Sequence, residues 1–142
     1  MNTAKMVLDR GDLFGIYPEG SRSPDGRIYK GKTGMAYVAM ETGTPVIPVA
    51  MIGSRDANPI GSWFPKPAKV RIKVGSPIDP LAFVKEHGLK PGTYEAARKL
   101  TDHVMLILAD LTGQPYVDAY SKDVKNALEE GKGYPEGTAP SQ

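Results

Sequence analysis

Glu19, Gly20, Ser21 and Arg22 stand together at the head of a polar stretch, EGSRSPDGRIYKGK, that also carries Lys30 and Lys32. Such a set can hold a phosphate. An arginine guanidinium is a planar, permanently charged fork whose donors match phosphate oxygens two at a time. Gly20 lets the backbone approach a ligand where a side chain would obstruct it. The Ser21 hydroxyl adds a donor, and Lys30 and Lys32 add positive potential at the mouth of the site. A carboxylate repels an anion, so Glu19 is assigned to orienting Arg22 or a substrate hydroxyl, which is a structural part. Taken by itself, an E-G-S-R tetrapeptide is as readily a solvated surface turn, because strings this short recur by accident.

The elements that must position these residues follow from periodicity and punctuation. Asn2 or Thr3 caps a short first helix that ends near Gly11. Leu13, Phe14, Ile16 and Tyr17 form a short apolar run closed by Pro18, which reads as a strand. Residues 19–32 then form a long polar loop, a length that often carries function. Thr33 caps a second helix, with Met35, Ala36, Val38, Ala39 and Met40 apolar and Gly43 as its stop. The run VIPVAMIG after Pro45 fits a strand covered on both faces. Lys69 to Gly75 alternates charged and apolar residues, as in a half-exposed strand with one basic face. After an SPIDP turn, Thr93 caps a long helix with Ala97, Leu100, Val104, Ile107 and Leu111 on one face, ended by Gly113 and Pro115. A last helix is expected over 118–129. The tail GKGYPEGTAPSQ is too rich in Gly, Pro and small polar residues to bury anything, and is expected to be disordered. The order of elements is that of an α/β layer structure.

The run Phe14 to Ser23 resembles the F-P-E-G-T-R-S motif of the 1-acylglycerol-3-phosphate acyltransferase family, with Tyr17 for Phe and Ser21 for Thr. Val46, Ile47, Pro48 and Val49 resemble that family's later V-P-V block, and Gly31, Lys32 and Gly34 sit where it often places a basic, glycine-bearing connection. The resemblance covers about Leu8 to Gly75. It implies an α/β fold of the glycerol-3-phosphate acyltransferase type: a partial three-layer sheet with flanking helices, truncated at its amino end. Residues 1–130 would be the C-terminal part of an acyltransferase domain, and 131–142 the tail. It also implies that Glu19, Gly20, Ser21, Arg22 and Lys32 bind the phosphate and glycerol of an acceptor, lysophosphatidate or a related glycerophosphate. Pro48 would shape the region near an acyl thioester donor, acyl-CoA or acyl carrier protein. In that family a histidine removes the proton from the attacking hydroxyl and an aspartate five positions later orients it.

That pair is missing from the sequence. His87 and His103 are followed five positions later by Gly92 and Leu108. Both histidines read as structural, at a helix end and on a helix flank, so no catalytic residue is assigned within the chain. Two rival readings remain. One is a non-catalytic module that binds phospholipid headgroups or a partner subunit through the basic loop. The other is a nucleotide-binding P-loop, since GRIYKGKT from Gly26 to Thr33 satisfies G-x-x-x-x-G-K-[ST]. Its context is poor: the strand closes at Pro18, well before Gly26, and the apolar run VIPVAMIG passes Ser54 and Arg55 before reaching Asp56.

Composition narrows the partners. The 142 residues fit one domain, and a net charge of +2 is too small to argue for nucleic acid. The charge is uneven: eleven Lys or Arg face six Asp or Glu through Gly75, against seven and ten from Ser76 onward. An anionic partner would therefore meet the first half. With no cysteine, thiolate metal sites and a cysteine nucleophile are excluded, a cytoplasmic setting is the simplest, and the sequence calls for no cofactor and no metal. The longest uncharged run, Thr42 to Ser54, is 13 residues with two prolines, whereas a spanning helix needs roughly 20 apolar residues. Peripheral contact with the inner membrane face is expected instead. An exposed sheet edge would also favour self-association.

Overall fold

The computed structural model describes residues 2–53 and 69–141. The end of the uncharged run at Ser54, and Asp56 beyond it, lie outside these described residues. Among them are five helices, α1 (Asn2–Asp9), α2 (Gly34–Thr42), α3 (Pro80–Glu86), α4 (Tyr94–Thr112) and α5 (Ser121–Glu129). There are also four short strands, β1 (Ile28–Tyr29), β2 (Val49–Ile52), β3 (Arg71–Val74) and β4 (Tyr116–Val117).

The α/β class stands, carried by two separate pairs of strands. β1 and β4 are parallel, with Ile28 opposite Tyr116 and Tyr29 opposite Val117. β2 and β3 are antiparallel, running from Val49 opposite Val74 to Ile52 opposite Arg71, and a bridge between Val46 and Ile78 extends the pairing.

Local chemistry explains most helix boundaries. The Thr93 hydroxyl accepts the Ala96 N–H at 3.2 Å, and Gly113 closes α4 at φ 70°. Gly43 closes α2 in the left-handed region, at φ 66°. Thr33 precedes α2 as expected, but its side chain makes no capping bond. α3 follows directly on the expected SPIDP turn, in a stretch for which no element was expected. There the Asp79 carboxylate accepts the Leu81 and Ala82 N–H groups at 3.0 and 3.1 Å, and Pro80 occupies the first helical position, where its missing N–H costs nothing.

The main core lies between α2, α3 and α4, where Met35, Ala36, Met40, Phe83, Val84 and Leu100 meet. A smaller core joins Tyr29, Val117 and Val124, with Tyr134 packed against it. The tail read as disordered therefore contributes to a core. Thr138 is only 7% exposed. Composition did not announce this, because the tail docks through one aromatic ring and one backbone carbonyl.

Two apolar stretches depart from expectation. Residues 13–17 have no regular secondary structure and join no ladder among the described residues, and Leu13 is 91% exposed. The run after Pro45 is not covered on both faces. Ala50 is buried, whereas Val49 and Met51 are exposed. Opposite them Val74 and Ile72 are 62% and 64% exposed, so the register gathers four apolar side chains on one open face of the β2–β3 pair.

Candidate anion-binding site

The segment from Tyr17 to Lys32 folds back on itself so that its two ends meet. The Gly20 N–H donates to the Tyr17 carbonyl at 3.0 Å, closing a tight turn, and the Lys32 N–H donates to the Pro18 carbonyl at 2.8 Å. Gly20 takes φ 69°, a conformation that favours glycine. Its missing side chain also leaves room for Lys32. A Cβ on Gly20 would lie 3.3 Å from Lys32 Cδ and Cε and 3.4 Å from its Nζ. The fold thus brings Glu19, Gly20 and Lys32 into one small patch, with Ser21 half-buried in the turn and Arg22 exposed beside it.

Glu19 has a structural part of its own. Its Oε1 accepts the Tyr29 N–H at 2.9 Å, tying the turn to β1. Burial pushes the carboxyl up to about 7. The Tyr29 N–H works against that rise, and the nearby Asp25 adds to it. Lys30 points elsewhere. Its ammonium lies 3.7 Å from Asp118 and 5.4 Å from the Tyr120 ring centroid.

Pro48 is buried on the other pair of strands, where its carbonyl accepts the Gly75 N–H at 2.8 Å and its ring faces Gly75. No described contact joins it to the turn. Two clefts open elsewhere. One, of about 360 Å³, lies between α2 and the Pro91–Gly92 loop, and one, of about 470 Å³, lies between β4 and the tail. Neither is lined by residues 19–22 or by Lys32.

Sequence reasoning passed over a second set in the same loop. Asp25, Arg27 and Tyr29 alternate, which in extended chain places them on one face. The Arg27 guanidinium donates to Asp25 Oδ2 at 3.0 and 2.7 Å, to the Tyr29 hydroxyl at 3.1 Å and to the Thr138 carbonyl. The Tyr29 hydroxyl donates to the same Asp25 oxygen at 2.8 Å. Burial opposes ionisation of Asp25, but the bonds from Arg27 and Tyr29 outweigh it and hold the carboxyl below its usual range. Burial, followed by the Asp25 carboxylate, holds the Tyr29 phenol protonated well above its usual value.

A third clamp acts on Gly31. Arg98 on α4 donates to the Gly31 carbonyl at 2.7 Å while pairing with Asp102 at 2.6 Å. Gly31 itself sits so close to α4 that a Cβ would fall 2.8 Å from Thr101 Cγ2.

These bonds dispose of the P-loop alternative, because a phosphate cradle needs free backbone donors. Here the N–H groups of Ile28, Tyr29, Lys30 and Lys32 go to the Pro115 carbonyl, Glu19 Oε1, the Ala119 carbonyl and the Pro18 carbonyl. The histidines belong to another region. His87 and His103 both pack on Phe83, with ring centroids 4.1 and 4.7 Å away, and His87 Nδ1 lies 2.8 Å from the Phe83 carbonyl. Among the described residues no group of three or more metal-ligating side chains converges, and no helix is long and apolar enough to cross a membrane.

Comparison with known proteins agrees with this geometry. Residues 1–52 match a family model described as Acyltransferase, a stretch that contains the turn, Lys32 and Pro48. The chain is 33% identical over 75 residues to a 1-acyl-sn-glycerol-3-phosphate acyltransferase of Cocos nucifera, covering 53% of this chain and 24% of that one. It is 36% identical over 73 residues to the chloroplastic 1-acyl-sn-glycerol-3-phosphate acyltransferase LPAT1 of Arabidopsis thaliana, covering 51% and 20%. The chain thus spans about a quarter or less of the curated relatives it matches. Among solved structures it is similar to the 1-acyl-sn-glycerophosphate acyltransferase PlsC of Thermotoga maritima, at 33% identity and a TM-score of 0.61. That likeness covers 78% of this chain and 43% of PlsC. Residues 1–52 are thus similar to the acyltransferase family, and the fold built around them is similar to that of PlsC.

Proposed function

We propose that this chain presents the acceptor-binding surface for acyl transfer to lysophosphatidate or a related glycerophosphate, with acyl-CoA or acyl carrier protein as the donor. The observation that carries the reading is the left-handed turn at Gly20. It lays the Lys32 side chain across the Glu19–Arg22 segment, inside the stretch that matches the family. A phosphate dianion meets two cations there, Lys32 and Arg22, and the Ser21 hydroxyl donates to it. With a pKa near 7, Glu19 is largely uncharged in mildly acidic solution, which removes the repulsion a carboxylate would add.

Deprotonation of the acceptor hydroxyl is not assigned to either histidine, since both are packed on Phe83. It falls to an H-x-x-x-x-D pair, which these 142 residues do not contain. In the same reading the open apolar face of β2–β3, with residues 13–17, rests against the cytoplasmic surface of the inner membrane or against a second copy of the chain. The binding-module alternative shares the anion site and differs in lacking any donor step.

The test is titration of the 15N-labelled chain with glycerol 3-phosphate. An open site with few charged contacts gives a dissociation constant on the order of millimolar, with shifts at Gly20 and Ser21. Arg22→Ala and Lys32→Ala should each weaken binding severalfold, while Lys99→Ala on α4 should not. Equal effects of all three substitutions would mean that the turn is not the site.

A further inference from the structure

We propose that the C-terminal tail is a strap that holds the anion-binding turn in register, and that Arg27 and Tyr134 are its positioning residues. The inference rests on the acceptor-site reading for its ligand, but the mechanical link is independent of it.

A buried charge is costly unless it is paired and hydrogen-bonded. Arg27 is 9% exposed. Its partners within the loop are Asp25 and Tyr29, and its partner from outside is the Thr138 carbonyl. The rings of Tyr29 and Tyr134 lie on the guanidinium with centroids 5.5 and 5.6 Å away. Tyr134 also packs on the small core of Tyr29, Val117 and Val124. The tail therefore closes both the electrostatic and the apolar environment of the segment 25–29.

That segment is the anchor of the turn. The Tyr29 N–H goes to Glu19 and the Lys32 N–H to Pro18. β1 is a two-residue strand paired with β4 on one side; the Arg98 bond to Gly31 holds its C-terminal end, and the tail closes the Asp25–Tyr29 end. Loss of the tail contact leaves Arg27 short of a partner, frees Tyr29 to shift, and with it the Glu19 carboxyl and the turn between Glu19 and Arg22. Recognition of a phosphate by separate side chains depends on their mutual placement, so a loosened turn binds more weakly although no ligating residue has changed. Arg27 is assigned a positioning part because it is buried and its Nε and Nη2 donors go to Asp25, Tyr29 and Thr138.

The experiment uses the full 15N-labelled chain as wild type, Tyr134→Ala and Arg27→Lys, with Arg22→Ala as the ligand control. Arg27→Lys keeps the charge but loses the planar guanidinium that donates from Nε and Nη2 together and stacks on the two tyrosine rings. Two readouts are taken: amide hydrogen exchange at Tyr29 and Lys32, and glycerol 3-phosphate affinity from shifts at Gly20 and Ser21. Exchange at Leu100 and Val104 reports the main core. The strap requires exchange at Tyr29 to rise about tenfold or more in both variants and affinity to fall about threefold or more, with main-core protection retained. Unchanged exchange at Tyr29, or faster exchange with unchanged affinity, overturns it. Should Tyr134→Ala lose main-core protection as well, Arg27→Lys decides by the same criteria. If the wild type shows no glycerol 3-phosphate shift at the turn, the acceptor reading falls, and exchange alone decides whether the tail holds the turn.

Discussion

Substituting Glu19 by Gln should remove the pH dependence that this side chain imposes on stability. In the folded chain burial pushes the Glu19 carboxyl from its usual 4.5 up to about 7, against the Tyr29 N–H and with help from Asp25. Between those two values the folded state keeps a proton that the unfolded chain has released. The stability contributed is therefore fully present below about 4.5 and is lost as pH rises through 7. Unscreened, a rise of that size corresponds to about 3 kcal/mol. The side chain is only part-buried, and solvent screening reduces this to about 1–2 kcal/mol. Gln keeps an oxygen to accept the Tyr29 N–H and never ionises. The two proteins should thus be nearly equal in urea denaturation near pH 4.5, and the Gln variant more stable by about 1–2 kcal/mol near pH 8, or roughly 3–6 °C in Tm for a chain of this length. His103 acts in the opposite sense. Burial, then His87 and Lys99, lower its pKa, so its contribution grows as pH rises toward 6.5. It is common to both proteins and cancels in their difference. A gap that is the same at both pH values, or a wild type that gains on the variant at high pH, would refute the assignment of Glu19 as a half-buried, destabilised carboxylate.

Gly31→Ala should cost about 1–3 kcal/mol by overpacking. The new methyl would lie 2.8 Å from Thr101 Cγ2, which cannot easily yield, and 2.9 Å from Met105 Sδ, which can. Wild-type stability in urea would show that the loop does not press on α4. On the open face of β2–β3, Ile72→Lys should abolish concentration-dependent self-association measured by light scattering, because a charge at the centre of the apolar quartet blocks face-to-face packing. A wild-type chain that stays monomeric at every concentration would sink that idea.

The parts legible in the sequence were those set by local chemistry. Glycine stops at Gly43 and Gly113, the Thr93 cap and the Ala97, Leu100 and Val104 part of the α4 stripe depend on residues within a few positions of one another and appear as expected, whereas Ile107 and Leu111 are only half-buried. The Asp79–Pro80 start of α3 was equally local and was passed over only because a D-P pair also suits a turn. The turn at Glu19–Arg22 was legible as a candidate site, in residue types and in family likeness.

Long-range partners were not. Nothing near Arg27 announces Thr138, which lies 111 positions away, and nothing near Glu19 states that its carboxylate serves the Tyr29 N–H rather than a cation. Whether Leu13–Tyr17 pairs as a strand depends on a neighbour that must be brought alongside, and among the described residues none is. Residue identities by themselves carried the family likeness and most of the helices, because charge, donor geometry and backbone preference are carried by each residue wherever it goes. Tertiary structure alone decided which cations face the turn, which strand faces stay open and what the tail does. Those depend on which groups packing leaves without a partner, and hydrogen-bond satisfaction is settled only once the whole chain has closed.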